Sequence, residues 1–262
     1  MLTIKNARIT FNAGTVNERK ALDKINLSFA RGSFTTVIGS NGAGKSTLLN
    51  AISGAYALDS GHIFLDGEEI TEKPEHFRAR IIGRLFQDPL KGTAPNMTIE
   101  ENLALAYGRG TRRGLSIGIR KADGVFFKEA LSRLGLGLED RLKSKVGLLS
   151  GGQRQALTLL MATIVPPKLL LLDEHTAALD PQTAAQVMRI TGEFVRENNI
   201  TTIMVTHNID DALHTGDSTI VLSNGRLVLT LEGVERESMT VERLMKVYSA
   251  AANDSFGDSM LL

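Results

Sequence analysis

The stretch "GSNGAGKST", Gly39 to Thr47, decides the fold prediction because it is a complete phosphate-binding loop. It follows the β-branched apolar run "TTVIG" and precedes a predicted helix from Lys45 to Gly54, so a simple turn is the weaker interpretation. Its glycines let backbone N–H groups converge on phosphate oxygens, Lys45 reaches the β- and γ-phosphates, and Ser46 is suited to ligate Mg²⁺. The loop residues predicted to contact the nucleotide are Gly39, Ser40, Asn41, Gly42, Ala43, Gly44, Lys45, Ser46 and Thr47.

The run "LLLLDE" supplies a second part of a nucleotide site. Its leucines predict a buried strand, so Asp173 and Glu174 emerge at the carboxyl end, where α/β sheets bind their ligands. Asp173 is suited to hold a magnesium ion, and Glu174 to orient and deprotonate an attacking water. The alternative is that the two acids only cap the next helix, but the phosphate loop favours the functional interpretation.

Predicted strands and helices alternate along the chain, which indicates an α/β protein with a parallel sheet covered on both faces. Residues 2–38 have strand patterns, and the pattern of "IIGRLFQ" predicts a strand that ends at Gln87. Between Asp88 and Gly147 the strand signal fades and two helical patterns take its place. This middle section is predicted to be a helical insertion in an α/β core.

The composition excludes several classes of function. Lys and Arg number 30 and Asp and Glu 29 in 262 residues, so the net charge of +1 favours binding to neither nucleic acid nor lipid. Without cysteine there is no disulfide, thiolate metal site or Cys nucleophile. The alternating N-terminus "MLTIKNARIT" is unlike a signal peptide, and no apolar stretch reaches the length of a spanning helix. We therefore expect a cytosolic protein, and we expect any membrane connection to run through another subunit.

A second glycine-rich helix start, "LSGGQ" from Leu149 to Gln153, lies a long way from the first. Ser150 can cap the helix and the glycines leave its first N–H groups open to an anion, although they could also only ease the loop-to-helix junction. Between a phosphate loop and "LLLLDE", this pentapeptide resembles the signature motif of the ATP-binding-cassette (ABC) ATPases. The resemblance extends from Phe11 to His207 and the strands beyond.

The resemblance implies roles for further residues, each of which alone would be interpreted as a packing or strand-end residue. Phe11 corresponds to the aromatic residue that stacks on adenine, and Gln87 to the glutamine that senses magnesium and water. His207 corresponds to the γ-phosphate sensor, and Asp180 lies in a loop that the family uses across a dimer. The residues implied to close over the ATP of a second subunit are Ser150, Gly151, Gly152 and Gln153.

The resemblance also implies an architecture. It predicts a P-loop NTPase core with an N-terminal antiparallel β subdomain and a helical insertion subdomain. The predicted core spans 1–87 and 165–248, the helical signature subdomain 88–164, and a flexible tail 249–262. In this family the cassette binds ATP and Mg²⁺ and dimerises head to tail, so the second glycine loop would serve the nucleotide of the other subunit.

One cassette without a spanning helix is typical of the ATPase subunit of a bacterial importer, at the cytoplasmic face of the cell membrane. Its expected partners are a second copy, an integral membrane permease docked near Gln87 and "DPLKGTAPN", and indirectly an extracytoplasmic binding protein, with no nucleic acid. The whole pattern, including "HFRARIIGRLFQDPLKGTAPNMTIEENL" and "DEHTAALDP", most resembles a family of importers of aromatic or related hydrophobic amino acids. The alternatives are an exporter ATPase or a soluble cassette ATPase of chromosome maintenance or translation, although the latter usually carries coiled-coil insertions or two cassettes.

Two features leave alternatives open. His175 stands where the family usually has proline; we expect a harmless helix-entry residue, the alternative being a change in the pKa of Glu174 and the pH profile. A basic stretch is expected to be a solvated face, the alternative being a membrane-proximal patch. Its residues are Arg109, Arg112, Arg113, Arg120 and Lys121. The histidines predicted to have only surface or packing roles are His62, His76 and His214.

Overall fold

The computed structural model describes residues 1–109 and 120–246; the predicted tail 249–262 and two of the basic residues, Arg112 and Arg113, lie outside them. The strands are β1 Leu2–Phe11, β2 Arg19–Phe29, β3 Phe34–Ile38, β4 Ser60–Leu65, β5 Glu68–Glu69, β6 Ile82–Leu85, β7 Leu169–Asp173, β8 Thr201–Val205, β9 Ser218–Ser223 and β10 Arg226–Glu232. The helices are α1 Lys45–Ser53, α2 Glu75–Arg78, α3 Ile99–Tyr107, α4 Lys121–Ser132, α5 Gly151–Thr163, α6 Pro181–Glu197, α7 Ile209–His214 and α8 Gly233–Glu237, and residues 241–246 are also helical.

The chain forms two compact units. The first contains Met1–Arg78 together with the described residues from Thr201 to Lys246, and the second contains Ala79–Ile200. These units are defined by compactness and differ from the subdomains predicted from the sequence. The helical subdomain at 88–164 stays a prediction.

The first unit contains an antiparallel sheet and a largely parallel set of strands. The antiparallel sheet has the order β2-β1-β4-β5, with β1 paired to both β2 and β4. Strand β3 pairs in parallel with β8 and β9, and β10 returns antiparallel to β9. Because β3, β8 and β9 are buried along their whole length, both of their faces are covered, as the sequence predicts for parallel strands.

Helix α1 is fixed in the first unit by its apolar face and by an arginine at its end. Leu48, Leu49 and Ile52 are buried. The buried guanidinium of Arg78 donates to the carbonyl of Ala51 at 2.8 Å and to that of Ile52 at 3.0 Å. Both carbonyls are in the last turn of α1, where that of Ala51 also accepts from the Gly54 N–H at 3.3 Å, and the cation is favoured by the negative end of the helix dipole.

In the second unit, β6 pairs in parallel with β7 from Ile82 opposite Leu169 to Leu85 opposite Leu172. Strand β6 therefore ends at Leu85, two residues before the end predicted at Gln87. The chain turns there because the Asp88 side chain accepts a hydrogen bond from the Leu90 N–H at 2.9 Å and begins a 3₁₀ turn, Pro89–Gly92. The apolar pattern alone continued through Phe86 and so overestimated the strand.

Helix α5 packs against α3, α4 and α6 in the second unit. Arg109, just after α3, donates to the carbonyl of Ala162 at 2.9 Å and to that of Val165. It is half-buried, and burial lowers its pKa. The prediction of a solvated face is thus wrong for Arg109, whose guanidinium caps the end of α5, whereas Arg120 is exposed.

None of the helices in residues 1–109 and 120–246 combines the length and the apolar character that crossing a bilayer requires.

Candidate functional site

The first glycine loop is shaped by backbone conformations that only glycine adopts readily. Gly42 and Gly44 have φ angles of +84° and +104°. A Cβ on Gly44 would lie 2.4 Å from the backbone oxygen of Ala21, and one on Gly39 would lie 2.3 Å from that of Leu222. The loop thus turns tightly into α1 through backbone conformations of the kind that form phosphate-binding nests.

Lys45 supplies a positive charge to this nest. Its side chain is buried, and its ammonium donates to the carbonyls of Gly39 at 2.8 Å and Ser40 at 3.0 Å. Ser46 is exposed at the start of α1, where its hydroxyl is a hard oxygen donor. A helix N-terminus, positive-φ glycines, an ammonium and a hydroxyl together fit a nucleotide phosphate with a magnesium ion.

The structure brings His207 close to the start of the phosphate loop. Val205, at the end of β8, lies opposite Val37 of β3, so the residues after both strands lie at the same edge of the sheet. His207 is exposed, and with Ser40 it lines a cavity of about 130 Å³. The other residues that line this cavity are Ile38, Gly39, Thr206, Ile209, Leu244 and Met245.

Phe11 lies beside an arginine that the sequence did not indicate. The half-buried Phe11 ring lies 5.5 Å from that of Tyr56, edge to face at 80°. Phe11 is paired across the sheet with Arg19, whose guanidinium donates to the Gly42 carbonyl. Because Arg19 and Gly42 are 23 residues apart, no local pattern in the sequence predicts this contact.

In the second unit, the predicted acids lie at the carboxyl end of β7, as expected. Asp173 is its last residue and Glu174 follows with a φ of +46°. Arg84 of β6 approaches Asp173, with Nη2 3.8 Å from Oδ2, and both side chains are largely buried. Sequence reasoning missed Arg84, although an arginine within the apolar run "IIGRLFQ" was a signal that could have found it. Gln87 is exposed just beyond the end of β6.

His175 is not at a helix entry but in the turn that follows Glu174, well before α6. Its side chain is buried, with Nε2 3.4 Å from the Thr191 hydroxyl, and burial lowers its pKa to about 4. The ring is therefore neutral at physiological pH and adds no charge beside Glu174.

The second glycine loop has a different construction. The Ser150 hydroxyl accepts from the Gln153 N–H and the Gln153 side chain accepts from the Ser150 N–H, both at 3.2 Å. This is a reciprocal capping box at the start of α5. A Cβ on the buried Gly152 would lie 2.0 Å from Cγ2 of Thr183, whose N–H donates to Asp180 at 3.0 Å. The signature loop and the loop of Asp180 thus meet at Thr183 within one chain.

The sequence and the fold both match known proteins. The family model described as ABC transporter matches residues 22–177, more than half of the chain. The tyrosine transport ATP-binding protein of Clostridioides difficile is 44% identical over 251 residues, which cover 96% of this chain and 100% of that protein.

Two solved structures have the same fold over most of their length. The dimeric ATP-binding cassette MJ0796 in a post-hydrolysis state, bound to ADP and Pi, has a TM-score of 0.76 at 28% identity and covers 88% of this chain and 98% of its own. The cbiO1 protein of Clostridium perfringens, part of the ABC transporter complex cbiONQ, has a TM-score of 0.75 at 26% identity and covers 100% and 98%.

These similarities confirm the predicted fold class and the resemblance drawn from the motifs. ABC ATPases bind and hydrolyse ATP, and their ATP-binding subunits associate with membrane transporters. The chain is an ATP-hydrolysing subunit and belongs to the ABC transporter ATPase family.

Proposed function

We propose that this chain is the ATPase of an importer for tyrosine or a related aromatic amino acid. In this proposal it acts as a head-to-tail homodimer on a separate permease at the cytoplasmic face of the cell membrane. The observation that carries the proposal is the similarity, over nearly the whole chain, to a tyrosine transport ATP-binding protein. An extracytoplasmic binding protein would deliver the amino acid to the permease.

The first unit provides the nucleotide-binding surface in this proposal. The N–H groups of the glycine loop and the Lys45 ammonium bind the phosphates, because they form a positive concave surface at the start of α1. Phe11 stacks on adenine, supported in its orientation by the edge contact with Tyr56. His207 senses the γ-phosphate from the edge of the sheet where the loop begins.

The second unit provides the chemistry. Glu174 orients and deprotonates the attacking water, since it follows the strand end that bears Asp173. Gln87 and Asp173 of this unit offer an amide oxygen and a carboxylate, and Ser46 of the first unit a hydroxyl, as the oxygen donors that Mg²⁺ prefers. The chemistry that Mg²⁺ would supply there is neutralisation of the charge that develops on the phosphates.

The signature residues act on the ATP of a second subunit in this proposal. Ser150 and Gly151 are exposed at the start of α5, where the first N–H groups of a helix have no intrahelical partner. Gly152 and Gln153 hold this end of the helix in place through Thr183 and the capping box. Asp180 is joined to it through Thr183 and so lies in the same surface. The dimeric state of a structural relative supports this arrangement.

The permease would dock on the 3₁₀ turn after Gln87. Leu90 is 43% exposed and Lys91 is exposed, which gives an apolar side chain and a cation at the tip of the turn. The turn is seated on α5, because a Cβ on Gly92 would lie 2.7 Å from Cγ2 of Thr158. A cysteine at Lys91 should therefore form a crosslink to the permease in membranes more readily than one at the half-buried Thr93.

Mixed dimers test the composite sites. Lys45→Ala and Ser150→Arg should each be nearly inactive alone, because each lesion is present in both sites of its homodimer. In the mixed dimer one site collects both lesions and the other is intact, so mixing should restore part of the hydrolysis. Glu174→Gln should dimerise on MgATP, as measured by light scattering. Normal hydrolysis by monomeric Ser150→Arg would refute the composite site.

Uptake measurements test the cargo. In cells whose chromosomal copy carries Glu174→Gln, uptake of radiolabelled tyrosine should fall, whereas uptake of radiolabelled sulfate should not. Unlabelled phenylalanine and tryptophan should compete in wild-type cells, because the proposed cargo is aromatic. Unchanged tyrosine uptake in the variant cells would contradict this cargo, and a loss of efflux instead would identify an exporter.

A further inference from the structure

The backbone at Glu174 is in an unusual conformation. Its φ of +46° lies in the left-handed region of the backbone. Residues other than glycine adopt this region rarely, and they do so where the surrounding structure holds them in it. The turn after β7 gives part of this constraint, since the Ala177 N–H donates to the Glu174 carbonyl at 3.0 Å. A side chain anchored within this turn would add to that constraint.

His175 is placed to supply that constraint. Its side chain is only 2% exposed, so the ring is embedded in the protein immediately after Glu174. Its Nε2 lies 3.4 Å from Oγ1 of Thr191, in the middle of α6. The turn is thus fixed to α6 by this side-chain contact in addition to its own internal hydrogen bond.

The hydrogen-bond directions at Thr191 define the tautomer of the ring. The Thr191 hydroxyl donates to the Val187 carbonyl at 2.8 Å, which uses its single hydrogen. It can therefore only accept from His175, and we assign the proton to Nε2. A ring that donates this bond is held in one orientation.

We propose that His175 is a positioning residue, whose buried ring is anchored at Thr191 and fixes the backbone that directs the Glu174 carboxylate. The inference rests on the proposed role of Glu174 as the base. An anchor one residue away restricts the adjoining peptide, so its loss should let the carboxylate leave its productive direction. Small misplacements of a catalytic group reduce turnover strongly.

Substitutions at both ends of the contact test the inference. Thr191→Val removes the acceptor at nearly constant shape, and His175→Leu removes the donor, so each should lower kcat for ATP hydrolysis about tenfold or more. The KM for MgATP should change less than about twofold, because the Lys45 loop is untouched. Thr191→Ser and His175→Gln keep an acceptor and a donor and should recover most of kcat.

Thr163 of α5 offers a matched control. It is also buried, and its hydroxyl donates to the carbonyl four residues earlier, Leu159, at 2.8 Å, as that of Thr191 does to Val187. Thr163→Val should thus cost about as much stability as Thr191→Val without the loss of kcat. An equal fall in kcat for both variants would overturn the inference in favour of a merely structural role.

The remaining outcomes separate this inference from the proposed function. The double variant His175→Leu with Thr191→Val should be no slower than the worse single variant, because one contact is lost once; additive losses would overturn the anchor at Thr191. Wild-type kcat in both single variants with an inactive Glu174→Gln would overturn only the positioning role. Near-normal turnover by Glu174→Gln would overturn the proposed base, and the inference with it.

Discussion

Helices α1 and α5 each start from a glycine-rich loop and each end at a buried or half-buried arginine, Arg78 and Arg109. Their starts differ. Helix α1 follows Gly44 in the left-handed region with no side-chain cap, whereas α5 follows Ser150 in a reciprocal capping box. In the first loop glycine is required by the backbone conformation, and in the second by the approach of the Thr183 side chain. The glycines of the two loops are therefore required for two different physical reasons, and substitutions can distinguish these reasons.

The largest expected effect is at Gly44. Alanine would have to adopt a φ of +104° with its Cβ 2.4 Å from a backbone oxygen that cannot move aside. We expect a loss of about 2–5 kcal/mol in the free energy of unfolding, from left-handed strain and overpacking together. Affinity for MgATP, measured by calorimetry, should fall at least tenfold in any variant that folds, an estimate based on the loss of the charge-assisted phosphate contacts.

Gly67→Ala is the control for strain alone, because Gly67 has a φ of +82° but no atom within 4 Å of a Cβ. It should cost only about 1–2 kcal/mol. A Gly44→Ala protein with wild-type stability and ATP affinity would break the comparison, since the first loop would then not require glycine.

The free energy of unfolding should depend on pH through the buried His175, which lies in the same unit as α5. His175 has a pKa of about 4 when folded, against an ordinary value of 6.5, so between these values the unfolded chain binds more protons. Its contribution is complete above about pH 6.5 and is lost as the pH falls towards 4, by roughly 3 kcal/mol in all.

Urea unfolding of the wild type and His175→Gln across this range measures the contribution. As the pH falls from about 6.5 towards 4, the wild type should lose free energy of unfolding that His175→Gln does not lose. Parallel curves would mean that the histidine is protonated or solvated in the folded protein.

Gly152→Ala should have an intermediate effect with a specific rescue. The new Cβ would meet Cγ2 of Thr183 at 2.0 Å, which predicts a loss of about 1–3 kcal/mol from overpacking. Thr183→Ser removes that methyl group and keeps the backbone N–H that Asp180 accepts. Thermal unfolding of the double variant should therefore show recovered stability. If the two losses simply add, packing is not the reason for this glycine.

The smallest expected effects on stability are at the exposed end of α5. Ser150→Ala removes a cap and should cost about 1 kcal/mol. Gly151→Ala should stay within about 0.5 kcal/mol, because the nearest atom to its Cβ, Cδ2 of Leu179, is at an ordinary 3.5 Å. A large loss of ATPase activity in these stable variants would sharpen the comparison, since their role would lie in the second subunit's site.

The sequence was sufficient where short-range chemistry decides the structure. The helix starts at Lys45, Gly151 and Pro181 follow glycine, capping and proline patterns within a few residues, and the leucine run of β7 defines its own strand. The roles of the site residues stay predictions.

What the sequence could not supply are contacts made by chain segments that lie far apart. Arg109 has the composition of a surface residue, yet its partners on α5 are more than fifty residues away. His175 is in a motif, but its burial depends on how α6 packs, and the approach of Arg84 to Asp173 depends on the register of two strands. For Arg109 and His175, side-chain identity gave no information about these partners.

The arginine at the end of α5 has a mechanical consequence. Helix ends normally fray, so that a displacement at one end is partly absorbed before it reaches the other. Here the capping box closes one end, and Arg109 holds the carbonyls of Ala162 and Val165 at the other. The 13-residue helix, about 20 Å long, is thus held at both ends. A movement of the signature end on closure over a nucleotide would therefore be transmitted through Arg109 to the end of α3.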